Sequence, residues 1–539
     1  MSTLTRYWQR FSGRTHRIAW ALIGAIVVGS GALLFRAAWQ DSMAIDEEFA
    51  VHSGSCVLHT GLIDLDPTWP AGTHLVSAAG VLLSGVSTSA SCPSGNFSDT
   101  TYHTLFDAQP TISQLHELTF SMRIIPVLMT IGLIVLCAWW AYRMAGPIAG
   151  VLAAALVGFD PTVQAMGHLV SDDMFMTVGF VGALCALWKW SQDRRMRWVV
   201  ISGLAMGVAL IGKVSAVVLV PILLILMLGS LRGNLRTRLQ SGWRPALVLL
   251  GSAYAVIFCA YAPFNHSEPS QAWLPTGFNW LIPESWFYTV HRELAGATGS
   301  GGGLFYINGQ AGYGGNWWYY FETLALKSTI AALLACAIGL VLLVWKRRVG
   351  TLAWCVFPAI VYLIGAVHAN LDIGIRYLLP VIVLLWVASA VGVASLPRLR
   401  VPIAAILSAA AIIAVTLGPV GSIGYFNAFA TGRHSYYLSD SNIDYGQDMF
   451  RLRDWWEAAG EPVMQIDDNG PFPPSWYIPN AIDISPMYAR GDYGSMPLTQ
   501  GAPAAISVDM GTIFSDAPYA IANPTCMVGE SIVITNRTC

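Results

Sequence analysis

The sequence predicts a polytopic α-helical membrane protein followed by a small C-terminal α/β or α+β domain outside the membrane. Three observations carry that prediction: scarce charge, repeated apolar stretches of spanning length, and basic residues confined to alternate connections. Of 539 residues, 55% are hydrophobic and 11% charged, less than half of the ~25% charged content usual in soluble domains. The formal net charge of −2 conceals the uneven placement that gives the topology.

Apolar runs predict about eleven spans, near 17–39, 123–141, 146–159, 174–190, 198–212, 214–230, 245–263, 322–345, 351–367, 377–394 and 401–422. Arg6, Arg10, Arg14 and Arg17 precede the first of them, which is too long for a cleaved signal segment. Arg143, then Arg194, Arg195 and Arg197, then Arg232, Arg236, Arg238 and Arg244 follow on the same side. Lys346, Arg347 and Arg348, with Arg398 and Arg400, complete the set. No Lys or Arg lies between Arg36 and Arg123. The excess of basic residues on cytoplasmic loops then puts the N-terminus in the cytoplasm of a plasma or inner membrane. Loops 40–122 and 264–321, and everything from 423 to 539, fall outside. The chain therefore divides into a membrane domain, 1–422, and an extracytoplasmic domain, 423–539.

The nine cysteines sort by place. Cys137, Cys185, Cys259, Cys336 and Cys355 sit in expected spans and behave as small apolar residues. Cys56, Cys92, Cys526 and Cys539 fall in outside segments, where oxidation favours disulfides. Four cysteines allow three connectivities, of which Cys56–Cys92 and Cys526–Cys539 are preferred. Segment 71–86 is apolar but short, which suits a helix in the membrane interface. The Gly-rich run 299–315 lacks the strand and helix of a nucleotide loop and reads as a flap over a cleft. Beyond 423, a helix-like "QDMFRLRDWWEAAG" precedes short strand-like pieces such as "VMQID" and "SIVITN". No internal repeat is evident, which weakens a transporter built from duplicated halves. No zinc spacing and no nucleic-acid signature occurs.

The unusual polar residues all gather on the outside face. Asp46, Glu47 and Glu48 open the first loop, and Asp172 and Asp173 begin the fourth span. Lys213 lies at the turn between spans five and six, Lys327 in the first turn of the eighth, Arg376 and Tyr377 at the start of the tenth. Arg123, at the start of the second span, reads singly as a residue reaching for lipid head groups. Glu48 reads as a solvated first-turn acid, and Asp172 as a helix cap. Lys213 and Lys327, flanked by apolar sequence, need anionic partners, which a lipid phosphate would supply. Asp46, Glu47, Asp172 and Asp173 could also hold a hard divalent cation, although lysines alone could neutralise a phosphate.

In order along the chain, "DEEF", "FDPTVQAMGHLVSDD", "GLAMGVALIGKVSAVVLVP", "GGNWWYYFETLALKST", "NLDIGIRYLLP" and "YFNAFATG…LSDSNIDYGQD" resemble membrane glycosyltransferases of the GT-C fold. The likeness is to the bacterial dolichyl-phosphate-mannose–protein mannosyltransferase-like group. What the resemblance implies is transfer of a hexose or pentose, with inversion, from a polyprenyl-phosphate donor at the outer membrane face. It implies Asp46 as general base with Glu47 beside it, and Asp173 shaping the acceptor or donor site. Lys213, Lys327 and Arg376 become candidates for the donor phosphate, with Tyr377 and His168 near the substrate. No cofactor is required on this reading. The partners implied are the lipid-linked sugar, membrane lipids and an acceptor protein, glycan or lipid; no nucleic acid is expected. The chain departs from the pattern at Met166-Gly167, with His168 displaced by one, at "TWPAG", and at Tyr445, the aromatic of the last motif. Asn442, Asp444 and Gln447 either face the cleft or fix the tail to it, the second being favoured. The alternatives are a transporter of lipid-linked sugars, which would place charges near the bilayer midplane, and a non-catalytic scaffold.

Overall fold

The computed structural model describes residues 3–63, 69–90, 92, 105–264, 283, 285–291, 304–432, 434–485, 502–512 and 526–535. Among them six helices are long and apolar enough to cross a membrane: Arg14–Gln40, Ile112–Ala145, Asp172–Asp193, Leu235–Tyr261, Val349–His368 and Ile375–Ala394. Two more of the eleven expected spans prove to be bent pairs. Pro147–Gly158 meets Pro161–Gly167 at 60°, and Tyr319–Lys327 meets Ile330–Trp345 at 115°. The first bend follows from Pro161, which has no N–H to continue the helix. Asp160 restarts it, its side chain accepting from the N–H groups of Thr162 and Val163 at 2.9 and 3.0 Å. At the second bend Ser328 is extended and Thr329 caps the new helix through the Ala332 N–H. Lys327 is therefore the last residue of a short helix, and not in the first turn of a continuous span. The remaining expected spans are the shorter apolar helices Arg197–Gly212, Val214–Ser230 and Arg400–Thr416.

Helix Ile375–Ala394 runs through the middle of the bundle. Its approach to Ile330–Trp345 depends on two glycines: a Cβ on Gly392 would lie 2.2 Å from the Gly339 carbonyl oxygen, and one on Gly339 would lie 2.6 Å from Ser389. No side chain can stand between these backbones.

The described residues of the first loop are mostly packed helix. Helix Ile45–Thr60 packs on helix Ala71–Ser84, which packs in turn on Ile112–Ala145. Gly54 against Ser77 and Ala78, and Gly80 against Met122, allow the close contacts. The segment expected to lie in the interface is thus the middle layer of a three-helix stack, although Leu82 and Leu83 at its end are exposed. Cys56 and Cys92 are bonded, as preferred. The second pair, Cys526–Cys539, includes a residue outside those described.

In the Gly-rich run, β1 (Leu304–Ile307) and β2 (Gln310–Tyr313) form a hairpin closed by Asn308 and Gly309, both at positive φ. It is tethered where the Asn308 N–H meets the Tyr437 carbonyl at 3.0 Å. After the last membrane helix come helix Met449–Ala458 and a five-stranded mixed sheet, ordered β4 (Ala481–Asp483), β3 (Met464–Asp467), β5 (Ala504–Ser507), β7 (Ile532–Thr535), β6 (Cys526–Val528). β3 is parallel to β4 and β5, whereas β7 is antiparallel to β5 and β6. This sheet and helix share one buried cluster with the first loop: Met43, Val51, Leu118 and Met122 pack with Phe450, Ile466, Tyr477 and Ile534. The C-terminal segment is anchored on the loop that carries the acids.

Candidate active site

The entry to helix Ile45–Thr60 is fixed by a buried ion pair. Arg123 is fully buried and engages all five of its N–H groups. Nε and Nη2 reach Glu47 at 3.0 and 2.5 Å, and Nη1 and Nη2 donate to the carbonyls of Ala38, Asp41 and Ser42. Glu47 in turn accepts from the N–H groups of Ala44 and Val170, each at 2.9 Å. Arg123 therefore does not reach for head groups, and Glu47 does not stand beside Asp46 as a reacting acid. One residue along a helix is a rotation of about 100°, which sends Glu47 inward.

Asp46 points another way, into a cavity of about 580 Å³. Lys213, at the break between two helices, also lines it, with Asp172 at a helix start and Arg376 and Tyr377 at another. Arg376 Nη1 lies 2.5 Å from Asp46 Oδ2 and 4.0 Å from Asp173 Oδ2. Lys213 Nζ bridges Asp173 at 2.7 Å and Asp172 at 3.1 Å. Tyr377 lies under both cations, its ring centre 4.1 Å from Lys213 and 5.3 Å from Arg376. Trp69, Tyr320 and Tyr362 complete an aromatic wall. Arg376 Nε and Asp173 Oδ2 are buried without a hydrogen-bond partner among the described residues. Beside this cavity lies an apolar groove of about 720 Å³ walled by Trp317, Phe321, Ile360 and Leu363, and His368 lines both.

The structure thus brings together Asp46, Asp172, Asp173, Lys213, Arg376 and Tyr377. It does not bring the others. His168 is buried elsewhere, bonded to Asp41 at 2.9 Å and to the Gln164 carbonyl at 2.8 Å. Burial alone would raise Asp41, but Arg451, His168 and Arg123 together hold its carboxyl below the usual range. Lys327 donates to the carbonyls of Ile423 and Asn442 at 2.7 and 2.5 Å and sits over Phe426. It clasps backbone where the tail leaves the membrane helices, so its amine is turned from the cavity. Glu48, expected in solvent, is buried, and that burial pushes its carboxyl up to about 8. Among the described residues no group of three His, Cys, Asp or Glu is arranged to hold a metal. Of the four acids, Glu47 is turned to Arg123, and Asp172 and Asp173 are paired with Lys213.

Tyr445 was met in the sequence only as a departure from a motif. Its hydroxyl contacts both Asp46 Oδ2 and Arg376 Nη1. The neighbouring motif residues are fasteners. Asn442 accepts from the Ile375 N–H at 3.0 Å and donates to Tyr319 at 2.8 Å, holding the turn that carries Arg376. Asp444 takes the Gly446 N–H at 3.0 Å and the Ser507 hydroxyl. Gln447 takes the Tyr445 N–H at 2.6 Å.

Residues 111–260 match the family model described as dolichyl-phosphate-mannose–protein mannosyltransferase. In structure, the chain is similar to the apo oligosaccharyltransferase of Archaeoglobus fulgidus, at 12% identity and TM-score 0.50 over 92% of this chain and 70% of that one. Archaeal oligosaccharyltransferase AglB from the same organism, in complex with an inhibitory peptide and a dolichol-phosphate, also gives 12% identity and TM-score 0.50, over 99% and 75%. ArnT from Cupriavidus metallidurans bound to undecaprenyl phosphate is 14% identical with TM-score 0.47, over 96% and 98%. No curated protein is significantly similar in sequence. Residues 111–260 are thus similar to that mannosyltransferase family, and the fold of the chain is that of the GT-C membrane glycosyltransferases.

Proposed function

We propose that this chain transfers a sugar from a polyprenyl-phosphate carrier to an acceptor hydroxyl, with inversion, at the outer face of the cytoplasmic membrane. One observation carries the reading: a carboxylate with one oxygen still open shares a cavity with two cations, and an apolar groove runs alongside. Asp46 is the base. Its Oδ2 is engaged, whereas Oδ1 accepts no hydrogen bond among the described residues. As the acceptor oxygen attacks the anomeric carbon, Asp46 takes its proton and the bond from that carbon to the phosphate oxygen breaks. The polyprenyl phosphate leaves with its new charge facing Arg376 and Lys213. Among the described residues Lys213 and Arg376 are already paired with Asp46, Asp172 and Asp173, so an entering phosphate must draw each cation from a carboxylate partner. Asp173 aligns Lys213, and Tyr377 supports both cations. Glu47, His168 and Lys327 hold the frame.

The printed ligands of the solved structures, dolichol-phosphate for AglB and undecaprenyl phosphate for ArnT, are in keeping with a lipid-phosphate donor here. The basic loops then face the cytoplasm, and the sheet lies outside. A transporter is less favoured because Asp172, Lys213 and Arg376 stand together at one face of the helix bundle, whereas a transporter site belongs near the bilayer midplane.

The test is purified protein in liposomes, offered radiolabelled hexoses and pentoses on polyprenyl phosphate together with cell-envelope protein, glycan and lipid acceptors. Wild type should transfer at least one sugar, and Asp46→Asn should lose about 10²–10⁴-fold in rate while still binding undecaprenyl phosphate. Transfer by Asp46→Asn at the wild-type rate would remove Asp46 as base, and export of intact donor without transfer would establish the transporter.

A further inference from the structure

Tyr445 belongs to the stretch after the last membrane helix, far in sequence from everything else in the cavity. It is nonetheless buried, with its hydroxyl between the two groups on which the proposed chemistry depends. Arg376 Nη1 donates to this hydroxyl and also to Asp46 Oδ2, and the hydroxyl donates its single hydrogen to that same Oδ2. The Arg376 guanidinium additionally lies 4.9 Å from the centre of the Tyr445 ring. One oxygen of the carboxylate is therefore held from two directions, and the other has no donor among the described residues.

The backbone that presents Tyr445 is itself tied to the start of the helix bearing Asp46. The Tyr445 carbonyl accepts from the Ile45 N–H at 3.0 Å, and the Gln447 carbonyl accepts from the Ser42 N–H at 2.9 Å. Ser42 Oγ closes the joint by donating to the Gly446 carbonyl at 2.6 Å. These bonds leave little play between residues 42–46 and 445–447. A carboxylate on an otherwise free side chain rotates about its last torsion with broad preference. Here a second-point contact from a rigidly mounted phenol removes that freedom.

We propose that Tyr445 is a positioning residue: it holds Asp46 Oδ2 together with Arg376, so that Oδ1 faces the cavity and takes the acceptor proton. The C-terminal segment thereby completes the site, because among the described residues no other group besides Arg376 makes this contact to Asp46 Oδ2. The inference rests on the glycosyltransfer reading for its catalytic consequence, but the clasp itself is a property of the folded chain. Phenylalanine keeps the ring, its packing and its place over Arg376, and removes only the hydroxyl.

Two measurements on the full chain in detergent or liposomes decide it. The first needs no activity: thermal midpoints of wild type, Asp46→Asn, Tyr445→Phe and the double variant form a cycle. A shift for the pair that departs from the sum of the single shifts supports the clasp, and simple additivity overturns it. The second is transfer from the donor that wild type uses, beside binding of undecaprenyl phosphate. Tyr445→Phe should lower the transfer rate about 10- to 100-fold, with lipid-phosphate affinity unchanged within about threefold. A transfer rate near wild type overturns the positioning role. So does a parallel loss of lipid-phosphate affinity, which would assign Tyr445 to Arg376 and the donor. If wild type transfers no sugar, the glycosyltransfer reading falls while the cycle still decides whether Tyr445 holds Asp46.

Discussion

The Arg123–Glu47 pair makes the most demanding prediction, since it fixes the helix that carries Asp46 one residue earlier. Replacing Arg123 by Met removes a side chain that is 0% exposed and leaves Glu47, at 1% exposure, with a buried charge. Two N–H donors, Ala44 and Val170, remain to Glu47, while the carbonyls of Ala38, Asp41 and Ser42 lose their guanidinium donor. Removing one partner of a buried pair costs about 3–5 kcal/mol, some two to three and a half decades in the equilibrium. Those backbone bonds are already part of that figure, so nothing is added for them. Hydrogen exchange should show Ile45–Thr60 opening far more readily, and the thermal midpoint followed by tryptophan fluorescence should fall. Sugar transfer should drop at least as steeply, because Asp46 loses its mounting. The double variant Arg123→Met with Glu47→Leu removes both charges and should recover most of the stability. A single variant within about 1 kcal/mol of wild type, or a double variant less stable than the single, would refute this account.

Glu48 predicts a pH effect. Burial raises its carboxyl from 4.5 to about 8, so the folded chain keeps a proton that the unfolded chain releases. Its contribution is fully present below 4.5 and is lost as pH rises toward 8; Glu48→Gln should flatten stability over that window, and an unchanged pH profile would refute the assignment. Lys327→Met should destabilise by about 1–3 kcal/mol through the two carbonyls it leaves, with undecaprenyl phosphate binding intact; a tenfold loss of that binding at wild-type stability would return Lys327 to the donor site.

Much of the molecule was legible in the sequence. Scarce charge and long apolar runs determined a helical membrane fold, because each backbone polar group within a bilayer must be satisfied inside its own segment. For the same reason Asp172, Asp173, Lys213 and Arg376 stood out at span ends, and they do meet. An outside location favoured disulfides among four cysteines, and Cys56–Cys92, a preferred pair among three connectivities, is bonded. The bend at Lys327 was harder to read, since an apolar run looks the same whether or not Ser328 breaks it. The C-terminal strands, three or four residues each, are too short for alternation to give their order or pairing.

What only the tertiary structure decided was which charge serves which neighbour. Asp46, Glu47 and Glu48 are adjacent in sequence, yet successive helical positions diverge by about 100°. One enters the cavity, one meets Arg123, and one is buried with no cation paired to it among the described residues. His168, which the resemblance puts near the substrate, holds Asp41, and Lys327, a candidate for the donor phosphate, holds two backbone carbonyls. Tyr445 gave no periodic signal, and its place on Asp46 exists only because the tail returns to the first loop and shares its core. Composition determines that charges must be paired when water is scarce; the partner is chosen by packing, which brings together residues that the sequence holds hundreds of positions apart.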